Sequence, residues 1–278
     1  MVINLAAGLD DTATMTQQCA GWSYIVMDST ARAQFEAQAV ALLPAGIREF
    51  HGKKWKPAQS TAYKQFLELV RRSLEADPAS RAASSLNTVG WNDQFVPFCQ
   101  KVVEEFCRAH KIAEKSLVAA MRQLFPPLIT FQRLLRDCQT GATISFQIDT
   151  NDTLAQFPGL RSVIDGQVVT AESILATLYE RYRVWRFPSA PSLTTTGVTI
   201  CRGSMSSLVQ AADVIGNFSL AYVYDKAGQA TARVAQKAQI FLDVFGDIID
   251  DAALAECEFI NGELSLKQEG ALTFTIKC

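Results

Sequence analysis

The stretch VINLAAGLDDTATMTQQCAGWSYIVM, residues 2–27, contains two short apolar runs separated by a polar segment. The first run stops at the pair Asp10-Asp11, and the second, GWSYIVM, is rich in aromatic and β-branched residues. Two such runs are typical of neighbouring β-strands that a loop connects. We therefore predict a pair of strands here, with the acid Asp10 at the end of the first.

Helical patterns follow the strand pair. Asp28 suits a helix N-cap, so we predict a helix from this residue to Leu43, and apolar spacing predicts a second helix over 60–75. Further helices are predicted over 91–110 and 114–137, the latter interrupted by two adjacent prolines, Pro126 and Pro127. The first of these carries an apolar stripe that we expect to be core. Its members are Trp91, Phe95, Phe98, Val102 and Phe106.

The second half of the chain alternates between strand and helix patterns. The run ATISFQI, residues 142–148, predicts a strand that ends at Asp149, and Asn261-Gly262 predicts a hairpin within 255–278. This alternation indicates an α/β fold with a mixed sheet flanked by helices. We expect a single domain over 1–278 because no Pro/Gly/Ser-rich linker divides the chain. The other predicted elements are a helix over 172–185, a strand over 197–201, and helices over 204–224 and 231–250.

Composition excludes several classes of protein. Of 278 residues, 49% are hydrophobic, which is too many for a disordered chain, and the net charge of −2 gives no global field for nucleic acid. Seven cysteines without a CxxC pair, and two histidines, argue against zinc and a disulfide framework. Free thiols and no signal-peptide pattern predict a cytoplasmic protein. Polar residues in the helix over 204–224 argue against a membrane span.

Four acids lie where an apolar element ends or is interrupted: Asp10, Glu49, Asp149 and Asp213. Asp213 is the most informative, because it is the one charged residue in a helix that is apolar nearly all round, and it needs a basic partner or a metal there. Asp152 competes with Asp149 for the same role. Turn formation, solvation or an ion pair would also explain each acid.

A basic cluster follows Glu49 and consists of His51, Lys53, Lys54, Trp55 and Lys56. Its lysines suit a phosphate backbone, its indole suits stacking with a base, and its imidazole suits a proton shuttle. The alternative is a solvated loop whose tryptophan packs into the core. Acidic residues over 243–269 would repel nucleic acid, so we expect them to be solvated or to form a surface for a protein partner.

Three short motifs resemble those of the domain-of-unknown-function 3800 family. Leu9-Asp10-Asp11-Thr12 resembles its Asp-Glu-Ser motif, although Asp replaces Glu and Thr replaces Ser. Glu49-Phe50-His51 resembles its Glu-x-His element, and Leu208-Val-Gln-Ala-Ala-Asp213 is similar to its late LQxAD helix. Members are regarded as RNase H-like, metal-dependent nucleases, some encoded near defence genes. Against that family, the helices over 91–137 form an insertion.

The resemblance implies a function and a site. The four acids would bind two Mg²⁺ or Mn²⁺ ions, with Asp10 bridging them, for hydrolysis of nucleic-acid phosphodiester bonds. A second reading is a non-catalytic RNase H-like scaffold that binds a partner; it would pair Asp10 or Asp213 with Arg or Lys. A third is a haloacid-dehalogenase-like phosphohydrolase, from Asp10 and the GDxxxD pattern at Gly246–Asp251, but Thr12 replaces the second acid it needs.

Overall fold

A computed structural model describes residues 3–13, 19–135, 142–150, 154–186, 188, 193–250, 257–260, 263–266 and 271–276. Within these residues a seven-stranded mixed sheet has the order β7-β4-β1-β2-β3-β11-β8. Its strands are β1 Ile3–Ala13, β2 Cys19–Asp28, β3 Arg81–Thr88, β4 Ala142–Asp149, β7 Leu193–Cys201, β8 Ile249–Asp250 and β11 Ala271–Ile276. Two small hairpins consist of β5 Arg161–Ile164 with β6 Gln167–Thr170, and β9 Cys257–Ile260 with β10 Glu263–Leu266.

Helices cover both faces of the sheet, so the predicted α/β fold with a mixed sheet is confirmed. One face packs against α3, α4 and α5, and the other packs against α1, α2, α6 and α7. The helices are α1 Ser29–Ala41, α2 Ser60–Ala76, α3 Val89–Ala109, α4 Lys115–Leu135, α5 Ala171–Arg186, α6 Ser207–Lys226 and α7 Ala232–Phe245.

Strand pairing places the first acid-bearing strand in the middle of the sheet. β1 lies next to β2, as predicted, and pairs antiparallel with it; on its other side β1 pairs parallel with β4, which in turn pairs parallel with β7. The predicted cap is also present, because the Thr30 amide donates to Asp28 Oδ1 at 2.8 Å. These central strands carry the acids whose positions are described below.

Several boundaries differ from the sequence predictions. Asp10 lies inside β1 rather than at its end, because pairing with β2 extends the strand to Ala13. α4 continues through its two prolines instead of being interrupted. The last long helix stops at Phe245, and the chain turns into β8. β3 was not predicted, because its sequence, RAASSLNT, has no apolar alternation, and its strand conformation depends on pairing with β2 and β11.

Two further predictions were partly wrong. The hairpin predicted over 255–278 is limited to β9 and β10, while β11 instead joins the main sheet between β3 and β8. The turn predicted for this hairpin, Asn261-Gly262, lies outside the described residues.

In the apolar stripe of α3, Phe106 is buried but Phe98 is 37% exposed, because the helix turns Cys99 and Val103 inward instead. The side chain of Trp91 lies outside the described part. Among described helices, none is long and apolar enough to span a bilayer.

Candidate functional site

Asp10 and Asp149 lie side by side on neighbouring parallel strands. The register pairs Leu9 of β1 with Ile148 of β4, so the next residue on each strand is the acid. Leu9 and Ile148 are buried in the core on the α5 side of the sheet. Because successive side chains of a strand point to opposite faces, both acids face α6. The sheet therefore brings together two carboxylates that are distant in sequence.

The start of α6 lies directly against β1. A Cβ on Gly8 would lie 2.4 Å from the Leu208 carbonyl carbon, so only glycine permits this approach. The Ser206 side chain caps the helix by accepting from the Val209 amide, and its hydroxyl donates to Gln147 of β4. These contacts fix α6 over the face of the sheet that carries both acids.

Asp213, on α6, has both carboxylate oxygens occupied by protein donors. Oδ2 accepts from His51 Nδ1 at 2.5 Å and from the Gly52 amide at 2.8 Å, while Oδ1 accepts from Asn217 Nδ2 at 2.7 Å. Among the described residues, neither Asp213 nor Asp10 forms an ion pair with Lys or Arg. Asp213 therefore fixes the orientation of the His51 imidazole, which leaves Nε2 as the ring nitrogen without this contact.

The loop that carries His51 is held by hydrogen bonds from two side chains of α7. Lys237 donates to the Gly52 carbonyl at 2.7 Å, and Arg233 donates to the Trp55 carbonyl. Burial lowers the pKa of Lys237 to about 8, and the positive charge of Arg233 adds to this effect. Trp55 is 0% exposed and packs edge-on against Phe218, so the prediction that it stacks on a base is wrong. Both cations lie over its ring instead.

The lysines of this loop lie at the surface. Lys54 donates to Glu49 at 3.0 Å, and Lys53 contacts Asp11 at 3.3 Å. Lys56 is exposed. The lysine positions therefore agree with the predicted solvated loop and leave their charge accessible to an anionic ligand.

One pocket collects all four predicted acids and has a volume of about 450 Å³. Gly203 lies between two of them, since a Cβ there would be 3.7 Å from both Asp149 Oδ1 and Glu49 Oε2. The lining residues are Asp10, Glu49, Phe50, His51, Lys54, Asp149, Thr150, Ala155, Arg202, Gly203, Ser204, Val209, Gln210 and Asp213.

Burial and the proximity of other carboxylates raise the pKa of two acids in the pocket. Burial raises the pKa of Asp10 well above its usual range, and the negative charges of Asp213, Asp11 and Asp149 raise it further. Burial also raises the pKa of Asp149 to about 6, although the Thr150 and Gly203 amides donate to this carboxylate and oppose the shift. Both shifts favour the protonated form of these carboxyl groups, because the pocket does not compensate the negative charge that their ionisation would place there.

Such a donor set fits a hard divalent cation. Asp10, Asp149 and Glu49 supply carboxylate oxygens, which Mg²⁺ and Mn²⁺ prefer as ligands. A bound cation would also offset the electrostatic repulsion among the ionised acids. Asp213 fits less well, because His51, Gly52 and Asn217 already use its oxygens. No three His, Cys, Asp or Glu side chains in the described part of the chain are yet grouped around one point for an ion. Binding of an ion would therefore require the carboxylates to move closer together.

Sequence reasoning missed several residues of the pocket. Gln210 accepts from the Phe50 amide at 2.9 Å and donates to the Gly203 carbonyl at 3.0 Å, so it joins both walls. The feature of the sequence that could have identified Gln210 is a polar residue in a mostly apolar helix, three positions before Asp213. Arg202 was also missed, because it lies in a turn without any motif.

Other candidate residues do not join the pocket. Asp247 of the GDxxxD pattern forms an ion pair with Arg71 and is absent from the pocket, while Asp251 lies outside the described residues. Asp152, the alternative to Asp149, also lies outside them. Within the acidic region, Asp243 pairs with Lys64.

No family model matches the sequence, and no curated protein sequence matches it.

Proposed function

We propose that this protein is a metal-dependent phosphodiesterase acting on nucleic acid, with Mg²⁺ or Mn²⁺ as its cofactor. The observation that carries the proposal is the convergence of Asp10, Asp149 and Glu49 in one pocket, from two strands and a loop. A scaffold would pair Asp10 or Asp213 with Arg or Lys, and among the described residues neither acid forms such a pair.

The residues divide the work between charge and orientation. Asp10, Asp149 and Glu49 would hold the cation, which supplies activation of a water and neutralisation of phosphate charge. Asp213 holds His51 through Nδ1, so that Nε2 is the atom able to pass a proton to or from the reacting group. Lys53 and Lys56 at the surface would contact the phosphate backbone.

Two further features support the same proposal. The mixed sheet flanked by helices agrees with the RNase H-like fold that the resemblance to the domain-of-unknown-function 3800 family implies. Cys99, Cys107 and Cys201 are free thiols, which suits the reducing cytoplasm. The acidic C-terminal region would bind a protein partner. Asp243 and Asp247 already form ion pairs within the protein, so we do not include them in that surface.

The test compares Asp10→Asn with Asp243→Asn, which alters an exposed, ion-paired acid outside the pocket. Mn²⁺ binding is measured by calorimetry, and Mg²⁺-dependent cleavage is measured on single- and double-stranded DNA and RNA. We expect the wild-type protein and Asp243→Asn to bind Mn²⁺ and to cleave, and Asp10→Asn to lose both properties while unfolding cooperatively. Equal cleavage by Asp10→Asn, or no Mn²⁺ binding by the wild-type protein, would refute the proposal.

A further inference from the structure

One wall of the pocket is a short turn between β7 and α6 that contains Arg202, Gly203 and Ser204. It follows Cys201, whose register partner is Asp149, so the turn begins beside that acid. The Met205 amide donates to the Arg202 carbonyl, and the Ser206 amide donates to the Gly203 carbonyl. The backbone of this wall is therefore fixed.

Side-chain contacts fasten the same turn to its surroundings. Gln210 Nε2 donates to the Gly203 carbonyl at 3.0 Å, and Ser206 Oγ donates to Gln147 on β4 at 2.6 Å. The Gly203 amide donates to the Asp149 carboxylate. All of these bonds use the backbone or other side chains, so none of them involves the Arg202 guanidinium or the Ser204 hydroxyl.

The basic side chains that line the pocket differ in their contacts. Lys54 is paired with Glu49, and the His51 imidazole is bound to Asp213. Within the described residues, the Arg202 guanidinium has no hydrogen bond or ion pair, and it is exposed at the pocket. A guanidinium that extends from a fixed turn and remains unpaired at the pocket is available to an external anion.

We propose that Arg202, assisted by the Ser204 hydroxyl, binds a phosphate of the substrate and is the main determinant of substrate affinity in this pocket. The inference rests on the proposed function, since it needs a phosphate-bearing substrate. The planar fork of arginine matches two phosphate oxygens, and the fixed turn reduces the entropy lost on binding. Arg202 and a cation held by the acids of the pocket would then bind the same anionic ligand.

The experiment measures binding and turnover separately. A short fluorescein-labelled single-stranded DNA and its RNA counterpart are titrated by anisotropy in the metal-free protein at several salt concentrations, and cleavage kinetics are measured with Mg²⁺. Arg202→Gln should weaken binding about tenfold and reduce the slope of log K against log salt by about one. Ser204→Ala should weaken it about threefold. Arg202→Lys should keep the slope but recover only part of the affinity.

Arg72→Gln is the matched control, because Arg72 is an exposed arginine on α2 outside the pocket. Its affinity and salt slope should equal those of the wild-type protein, and Arg202→Gln should raise KM more than it lowers kcat. If Arg202→Gln binds as Arg72→Gln does, while Asp10→Asn still abolishes cleavage, the inference about Arg202 is wrong and the proposed function stands. If the wild-type protein neither binds nor cleaves either oligonucleotide, both are wrong.

Discussion

Replacement of Asp149 by asparagine should make the protein more stable at neutral pH. Asp149 lies beside Asp10 in the acid pocket, and burial together with the charges of Asp213 and Asp11 raises its pKa to about 6. Its backbone donors, the Thr150 and Gly203 amides, can also donate to a side-chain amide oxygen. The substitution therefore removes a charge that the fold disfavours, and the asparagine side chain still provides one oxygen as a hydrogen-bond acceptor.

The magnitude follows from the pKa. A change from the ordinary value of 3.8 to about 6 corresponds to about 3 kcal/mol at pH 7 if it is taken in full. Asp149 is only partly buried, so solvent screening reduces this to about 1–2 kcal/mol. Between pH 4 and 6 the folded wild-type protein binds more protons than the unfolded chain, so its stability falls as pH rises through this window. The Asp149→Asn variant lacks this loss.

Urea unfolding of both proteins, without divalent metal, at pH 4 and pH 7 tests the reasoning. We expect Asp149→Asn to be more stable by about 1–2 kcal/mol at pH 7, and the difference to be much smaller at pH 4, where the Asp149 carboxyl group of the folded protein is protonated. Asp243→Asn is the control with the opposite sign, because the hydrogen bond from Lys64 lowers the pKa of Asp243. A destabilised Asp149→Asn at pH 7, or a difference independent of pH, would refute the argument.

Two further substitutions test packing around the pocket. Gly8→Ala should cost about 3 kcal/mol in urea unfolding, because the new Cβ would lie 2.4 Å from the Leu208 backbone, whereas Gly197→Ala, with open space around it, should be tolerated. Equal stability of the two variants would show that α6 does not need its close approach to β1. Trp55→Ala should cost about 3–5 kcal/mol, because the indole is fully buried. A variant that keeps wild-type stability but loses oligonucleotide binding would instead show that Trp55 contacts substrate.

Local patterns were sufficient for most elements. The apolar runs of β1 and β2, the N-cap Asp28 of α1 and the alternation in β4 each depend on a few consecutive residues, and the structure confirms them. β3 shows the limit of such reasoning. Its alanines and serines do not favour a strand, and the strands on either side, β2 and β11, supply its ladder hydrogen bonds.

For the candidate site, too, the sequence identified some features and left others to the tertiary structure. The sequence by itself identified Asp10, Glu49, Asp149 and Asp213 as acids in unusual positions, because a charge at the end or in the middle of an apolar element is visible locally. It left the role of Trp55 open, with stacking on a base or packing into the core as alternatives. The structure resolved that choice by packing the indole against α6 and α7.

Only the tertiary structure decided which groups meet. The parallel register of β1 with β4 places Asp10 beside Asp149, and the approach of α6 at Gly8 brings Asp213 to His51. These contacts join segments far apart in the chain, so they depend on strand register and on the distance between helix and sheet, which no local periodicity specifies. The sequence determined the chemical groups and the elements that carry them, while long-range packing determined which acids share a pocket. Among the residues that the structure describes, this packing gives the Arg202 side chain at the same pocket no partner.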